Sequence, residues 1–308
     1  MGIRDQLRAG PLGFGVAPLG NMFRNIPEEE AAATVDAAWQ QGTRYFDTAP
    51  LYGAGLSEIR LGKALTRHKR DDYVLSTKVG RLILGEIETD GRDYGEKGGL
   101  FEFGRPNRIV YDYTEDGALR SIQDSLKRLG VDRLDFVWVH DVAQDFHGDE
   151  WLAQFETARS GAFRALTRLR EQGVIKAWGL GVNRVEPCEL TLDLAEANPD
   201  GFLLAGRYKL LDHSAHCSAS CRPPLLGRWK SLSAAPIAPA SSPAAPTSST
   251  RRRSRRSSPR LSGSRRSLSV IRCPSKPSPY SSPLLIPPRR PSSRARAVLS
   301  ASRKTMLH

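Results

Sequence analysis

Short runs of β-branched and aromatic residues alternate along the first two thirds of the chain with longer runs whose apolar positions recur every three or four residues. The short runs predict strands over residues 12–15, 44–48, 73–78, 134–140, 177–182 and 201–205. The longer runs predict helices over 28–41, 56–66, 116–129, 163–172 and 186–196. Gly42, Gly130 and Gly173 each fall just past a predicted helix, where a left-handed cap is needed. About six strands and five helices in strict alternation imply a parallel sheet, because each crossover helix returns the chain to the same end. A doubly wound sheet and a (β/α)8 barrel both satisfy this pattern.

One insertion breaks the rhythm. Residues 81–113, rich in Gly, Asp, Glu and Arg, follow the strand YVLSTK. A connection of that length reads as a substrate loop, with a surface excursion as the alternative.

Composition then divides the chain. The formal charge of +13 splits into 27 basic and 33 acidic side chains through residue 216, and 19 basic with no acidic ones beyond it. The basic character therefore belongs to the tail alone, and global charge says nothing about partners of the body. The division predicts an α/β body at 1–216 and a disordered low-complexity Arg/Ser/Pro-rich tail at 217–308, whose 14 prolines remove backbone donors. No 18-residue apolar run exists and Met1–Arg8 has no signal-peptide core, which predicts no membrane partner. Cys188, Cys217, Cys221 and Cys273 match no zinc spacing, so no metal site is expected. Read as free thiols, they point to a reducing, cytoplasmic setting.

Polar residues gather where predicted strands end. Asp47 ends the second, Tyr52 follows in the next loop, Lys78 ends the third, His140 the fourth, and Asn183 stands just past the fifth. In a parallel barrel those ends share one face, where active sites form. Tyrosine titrates near pH 10, and a nearby ammonium lowers that value. An Asp can hold the ammonium and a His can hydrogen-bond a substrate oxygen. The set suits proton transfer at a carbonyl or alcohol oxygen during hydride transfer.

The segments GFGVAPLGN, RYFDTAPLYGAGLSE, VLSTKVGR, SLKRLGVDRLDFVWVHD, GVIKAWGLGVN and LLAGRYKLLD resemble the aldo/keto reductase superfamily. Within it they are most similar to the branch of D-threo-aldose 1-dehydrogenase (L-fucose dehydrogenase) and pyridoxal 4-dehydrogenase. The resemblance covers residues 10–216 and implies a (β/α)8 TIM barrel, here incomplete at about six strands. It implies NAD or NADP as cofactor and an aldose or pyridoxal-like small molecule as substrate. By the same resemblance Tyr52 is the proton donor or acceptor, Lys78 lowers its pKa, Asp47 pairs with Lys78, and His140 orients substrate. Gly20, Asn21 and Asn183 would line the nicotinamide side. Ala205 departs from the pattern, standing where many members carry a Gln.

Three readings of the tail compete: a solvated basic run, an Arg/Ser segment contacting RNA by charge, and the family's own gene read out of frame. The second would make the chain a basic-tailed nucleic-acid-binding protein on an α/β body. The third is expected here, and it leaves nucleic acid only non-specific contact with the basic tail. The branch continues with a buried strand and a motif like GGPYSSGILA. Read one base late, a coding of that motif gives AAPIAPASSP, which is Ala234–Pro243. The same shift turns VPLKAVALQFPLAHP into CPSKPSPYSSPLLIP, which is Cys273–Pro287. The onset falls between Asp212 and Cys217. This reading predicts that barrel strands seven and eight are missing as sequence and that little regular structure follows residue 217.

Overall fold

A computed structural model of the chain describes residues 12–87, 99–206 and the backbone of 231–234. The chain divides into two compact units, Met1–Ser242 and Pro243–His308. All described residues belong to the first.

Six parallel strands form the expected half-barrel: β1 (Phe14–Gly15), β2 (Tyr45–Asp47), β3 (Val74–Val79), then β6 (Phe136–His140), β7 (Ala177–Val182) and β8 (Gly201–Ala205). They lie side by side in sequence order, which is the order of a barrel and not of a doubly wound sheet. Helices α1 (Glu28–Gln40), α2 (Leu56–Leu65), α3 (Glu115–Leu129), α6 (Ala162–Glu171) and α7 (Glu186–Asp193) match the five predicted ones. Gly42, Gly130 and Gly173 have φ of 90°, 64° and 74°, the left-handed turn that each helix end needs. Helix α7 stops at Asp193, earlier than predicted, because Leu194 is already extended.

Three features depart from the sequence reading. The insertion opens as an antiparallel hairpin, β4 (Arg81–Ile87) against β5 (Asn107–Tyr111), with Arg81 opposite Tyr111 and a bulge between Ile83 and Ile87. Two unpredicted helices, α4 (Gln144–His147) and α5 (Trp151–Ser160), precede α6. Beyond residue 217, where little regular structure was expected, Ser231–Ala234 forms β9, parallel to β8 with Leu232 opposite Leu203. A ladder needs only backbone donors and acceptors, and these four residues contain no proline. The other tail residues lie outside the described ones.

Strand alternation separates two layers of core. Phe46, Leu75, Val137, Val139, Trp178, Leu180, Phe202 and Leu204 point outward and pack under the helices with Leu61, Leu65, Leu129, Phe163 and Leu166. The inward set is smaller: Tyr45, Val74, Phe136, Trp138 and Ala177, with Leu203 against them. Gly179 belongs to the inward set because a Cβ there would strike the Gly201 carbonyl oxygen at 1.8 Å and approach Trp138.

Candidate active site

The inward parity that buries Tyr45, Val74 and Phe136 at one end of the sheet delivers Asp47, Lys78 and His140 at the other. Asp47 lies opposite Ser76, Lys78 opposite Trp138 and His140 opposite Gly181. Two-residue steps keep every one of them on the concave face. The carboxyl ends of β2, β3 and β6 thus place three titratable groups together without help from any loop.

Lys78 Nζ donates to Asp47 Oδ2 at 2.6 Å and to the Thr48 carbonyl at 2.9 Å. Ser76 Oγ donates to Asp47 Oδ1 at 2.5 Å and lies 3.0 Å from the Tyr45 hydroxyl. Both oxygens of Asp47 are therefore engaged and its direction is fixed. Burial works against the Lys78 charge, but Asp47 and Tyr52 outweigh it and raise its pKa above the ordinary lysine value. Lys78 stays an ammonium throughout the physiological range.

Tyr52 comes from the loop after β2, and packing fixes that loop. A Cβ on Gly20 would sit 2.5 Å from the Tyr52 carbonyl carbon, and one on Gly53 would sit 2.3 Å from the Gly20 carbonyl oxygen. The two glycines press the loops after β1 and β2 together. Ser57 Oγ ties the same junction to the Val16 carbonyl at 2.7 Å. The Tyr52 ring then lies with its centre 4.7 Å from Lys78 Nζ and 5.8 Å from the His140 ring, edge to face. Burial raises the Tyr52 pKa, Lys78 lowers it and Asp47 raises it, for a net upward shift. Lys78 acts in the expected direction but does not overcome desolvation.

His140 is buried, and desolvation followed by Arg81 and Lys78 pushes its pKa well below the usual histidine value, so the ring is neutral. Its Nδ1 is buried without a hydrogen-bond partner, and Nε2 lies 3.2 Å from Asp141 Oδ2.

The residues expected on the nicotinamide side are arranged differently from one another. Asn183 is half-buried past β7, its Nδ2 3.2 Å from Asp145 Oδ2. Gly20 packs on the Tyr52 loop. The Asn21 amide is spent inside the protein: Nδ2 donates to Asn25 Oδ1 and the Phe103 carbonyl, while Oδ1 accepts from Ile26 N and Arg60 Nη1. Among the described residues no cluster of His, Cys, Asp and Glu could hold a metal ion. None of the described helices is long and apolar enough to cross a membrane.

Sequence reasoning missed Arg81, Asp141 and Tyr113. Arg81 follows β3 by one glycine after Val79 and Asp141 follows β6 directly; Arg81 Nη2 and Asp141 Oδ2 lie 3.0 Å apart with both side chains buried. The Tyr113 hydroxyl donates to the His140 carbonyl at 2.7 Å and lies 2.9 Å from His147 Nε2. The available signal was a charged residue just beyond two strand ends, in VGR and VHD.

The aldo/keto reductase family model matches residues 11–223. The chain belongs to the aldo/keto reductase family. It is 42% identical over 214 residues to pyridoxal 4-dehydrogenase of Microbacterium luteolum, covering 68% of this chain and 62% of that protein. It is 41% identical over 208 residues to D-threo-aldose 1-dehydrogenase of a Pseudomonas species, covering 66% and 59%. The chain thus spans about three fifths of these relatives' lengths. A solved aldo-keto reductase structure from Pseudomonas aeruginosa superposes with a TM-score of 0.50 at 27% identity, covering 71% of this chain and 70% of that one.

Proposed function

We propose that this aldo/keto reductase chain carries the catalytic half of an NAD(P)-dependent oxidoreductase that oxidises an aldose or a pyridoxal-like alcohol. The observation that supports this most is the Lys78 ammonium, locked to Asp47 at 2.6 Å and standing over the Tyr52 ring at 4.7 Å beside a neutral His140. Tyr52 takes the proton from the substrate hydroxyl in the fraction of molecules that hold it as phenolate. Lys78 stabilises the phenolate, and Asp47 keeps Lys78 from turning away. Neutral His140 hydrogen-bonds the substrate oxygen and adds no charge that would resist proton release.

The residues at the end of β7 fit a flat ring. Gly181, opposite His140, keeps that strand end free of a side chain; a Cβ there would lie 3.4 Å from Lys78 Cε. Asn183 would hold the nicotinamide carboxamide, while Gly20 and Asn21 would form the wall behind Tyr52. When bound, NAD or NADP supplies the hydride acceptor. The named relatives, a pyridoxal and an aldose dehydrogenase, support the substrate classes.

We also infer that the sequence after residue 216 is the family's own gene read one base late. What supports this is the sequence: Ala234–Pro243 and Cys273–Pro287 map onto GGPYSSGILA and VPLKAVALQFPLAHP in one shifted frame and in the expected order. The test is to restore the frame near residue 213 and assay L-fucose and pyridoxal with NAD and NADP. The restored protein is expected to turn over one of them and the 308-residue chain to show little activity, because the residues that hold the cofactor in a near-attack geometry are replaced. Equal rates from the two chains would refute the frame reading. No turnover by the restored protein would refute the functional one.

A further inference from the structure

Beside the catalytic residues stands a second buried polar group that proton transfer does not use. The Arg81 guanidinium is 3% exposed, and neither Nη1 nor Nη2 has a hydrogen-bond partner among the described residues. Asp141 Oδ2 stands 3.0 Å from Nη2, but outside hydrogen-bonding direction. The guanidinium is pinned between rings, 4.9 Å from the centre of Tyr111 and 5.1 Å from that of Phe146, both partly exposed. Asp141 adopts φ of 50°, a left-handed conformation unusual for a residue other than glycine. A buried donor without an acceptor calls for a partner, whether water, ion or ligand, and a residue other than glycine held at positive φ often marks a functional site.

We propose that Arg81 and Asp141 form a specificity site that reads the hydroxyls of a neutral polyhydroxylated substrate, an aldose, while Tyr52 acts on its reacting carbon. Arg81 presents donors and Asp141 an acceptor, and a sugar hydroxyl can meet both. An anionic substrate group would face the Asp141 carboxylate, and the two hydroxyls of pyridoxal sit on non-adjacent ring positions, whereas an aldose offers a row of neighbouring ones. Asp141 Oδ2 also lies 3.2 Å from His140 Nε2, so the site is continuous with the group that meets the reacting oxygen. This inference rests on the functional reading above and selects the aldose.

The test is an NMR ligand titration of the 308-residue chain with L-fucose, D-galacturonate and pyridoxal, with no turnover required. L-fucose is expected to bind more tightly than the other two. Arg81→Met is expected to raise its Kd roughly ten- to hundredfold, the loss of a charge-assisted hydrogen bond. Arg81→Lys is expected to fall between, keeping charge without the fork, and it carries the test if Arg81→Met does not fold. An L-fucose Kd that stays within about twofold in both variants overturns the proposal. So does tighter binding of D-galacturonate or pyridoxal, or no L-fucose binding by the unaltered chain. Failure of the oxidoreductase reading is read separately, from nicotinamide-dependent turnover of the frame-restored protein.

Discussion

The two ends of the sheet treat charge and strain in opposite ways. At the amino ends, Asp135 is buried among donors and cations: Oδ2 accepts from Arg70 at 2.5 Å and from Leu75 N at 2.9 Å, while Oδ1 has no hydrogen bond but lies 2.6 Å from Lys176 Nζ. Asp200 repeats the device with Arg170 and Trp178 N. Left-handed turns at that end fall on Gly42, Gly130 and Gly173. At the carboxyl ends, Arg81 and His140 keep buried nitrogens without hydrogen-bond partners. The described non-glycine residues with positive φ, Asn21, Phe23, Ala54 and Asp141, all lie in loops there. The amino end, though Asp135 Oδ1 and Trp178 Nε1 also lack hydrogen bonds, sets its buried carboxylates against cations and backbone amides. The other end carries positive φ on residues other than glycine, a form of backbone strain that gathers at functional sites.

Charge removal separates the ends most sharply. In the frame-restored protein, Lys78→Met is expected to lower kcat/KM by roughly a hundredfold to ten-thousandfold, read by steady-state kinetics. Asp135→Ala at the opposite end is expected to cost about 3–5 kcal/mol in chemical denaturation, because it leaves Arg70 and Lys176 without their buried partner. A small denaturation effect would mean that the amino-end network is incidental.

Much of this division was legible in the sequence. The strands at 177–182 and 201–205 are those predicted, and the three cap glycines fall where the helical pattern ends. Asp47, Lys78 and His140 were readable because each closes a strand, and strand parity alone brings them together. The Arg81–Asp141 pair was missed although VGR and VHD each put a charge just beyond a strand end, because its proximity depends on which strands are neighbours. Helix α5 was missed because its buried face is only Phe155 and Ala158, with Leu152 left exposed. Strand β9 was missed because a backbone ladder ignores the side-chain pattern from which strands are read.

The same comparison predicts opposite pH behaviour. Burial raises the Asp141 pKa, against Arg81, to about 6. The folded protein therefore binds that proton more tightly than the unfolded chain, and this group's contribution falls as pH rises from about 4 to about 6. Asp141→Asn is expected to gain up to about 2 kcal/mol relative to the unaltered protein across that window, read from denaturation midpoints. For Asp135, burial is outweighed by Lys176, Arg70 and the Leu75 amide, and its pKa is lowered. Its contribution is present above the unfolded value and is lost as pH falls through the folded one.

Backbone strain gives the smallest effects. Gly130→Ala at the amino end meets no steric obstacle but must hold φ of 64°, and is expected to destabilise by about 1 kcal/mol. Phe23→Gly at the carboxyl end, exposed with φ of 66°, is expected to stabilise by about 0.5–1 kcal/mol. Equal signs for the two would erase the contrast in strain.

If the carboxyl end is built around proton transfer by Tyr52, as proposed, Tyr52→Phe in the frame-restored protein removes the group that carries it. Dehydrogenase turnover and nicotinamide binding are measured on the same preparation. The account predicts that turnover falls by roughly a hundredfold or more while cofactor affinity stays close to that of the unaltered protein. Turnover that persists at a similar rate would contradict it.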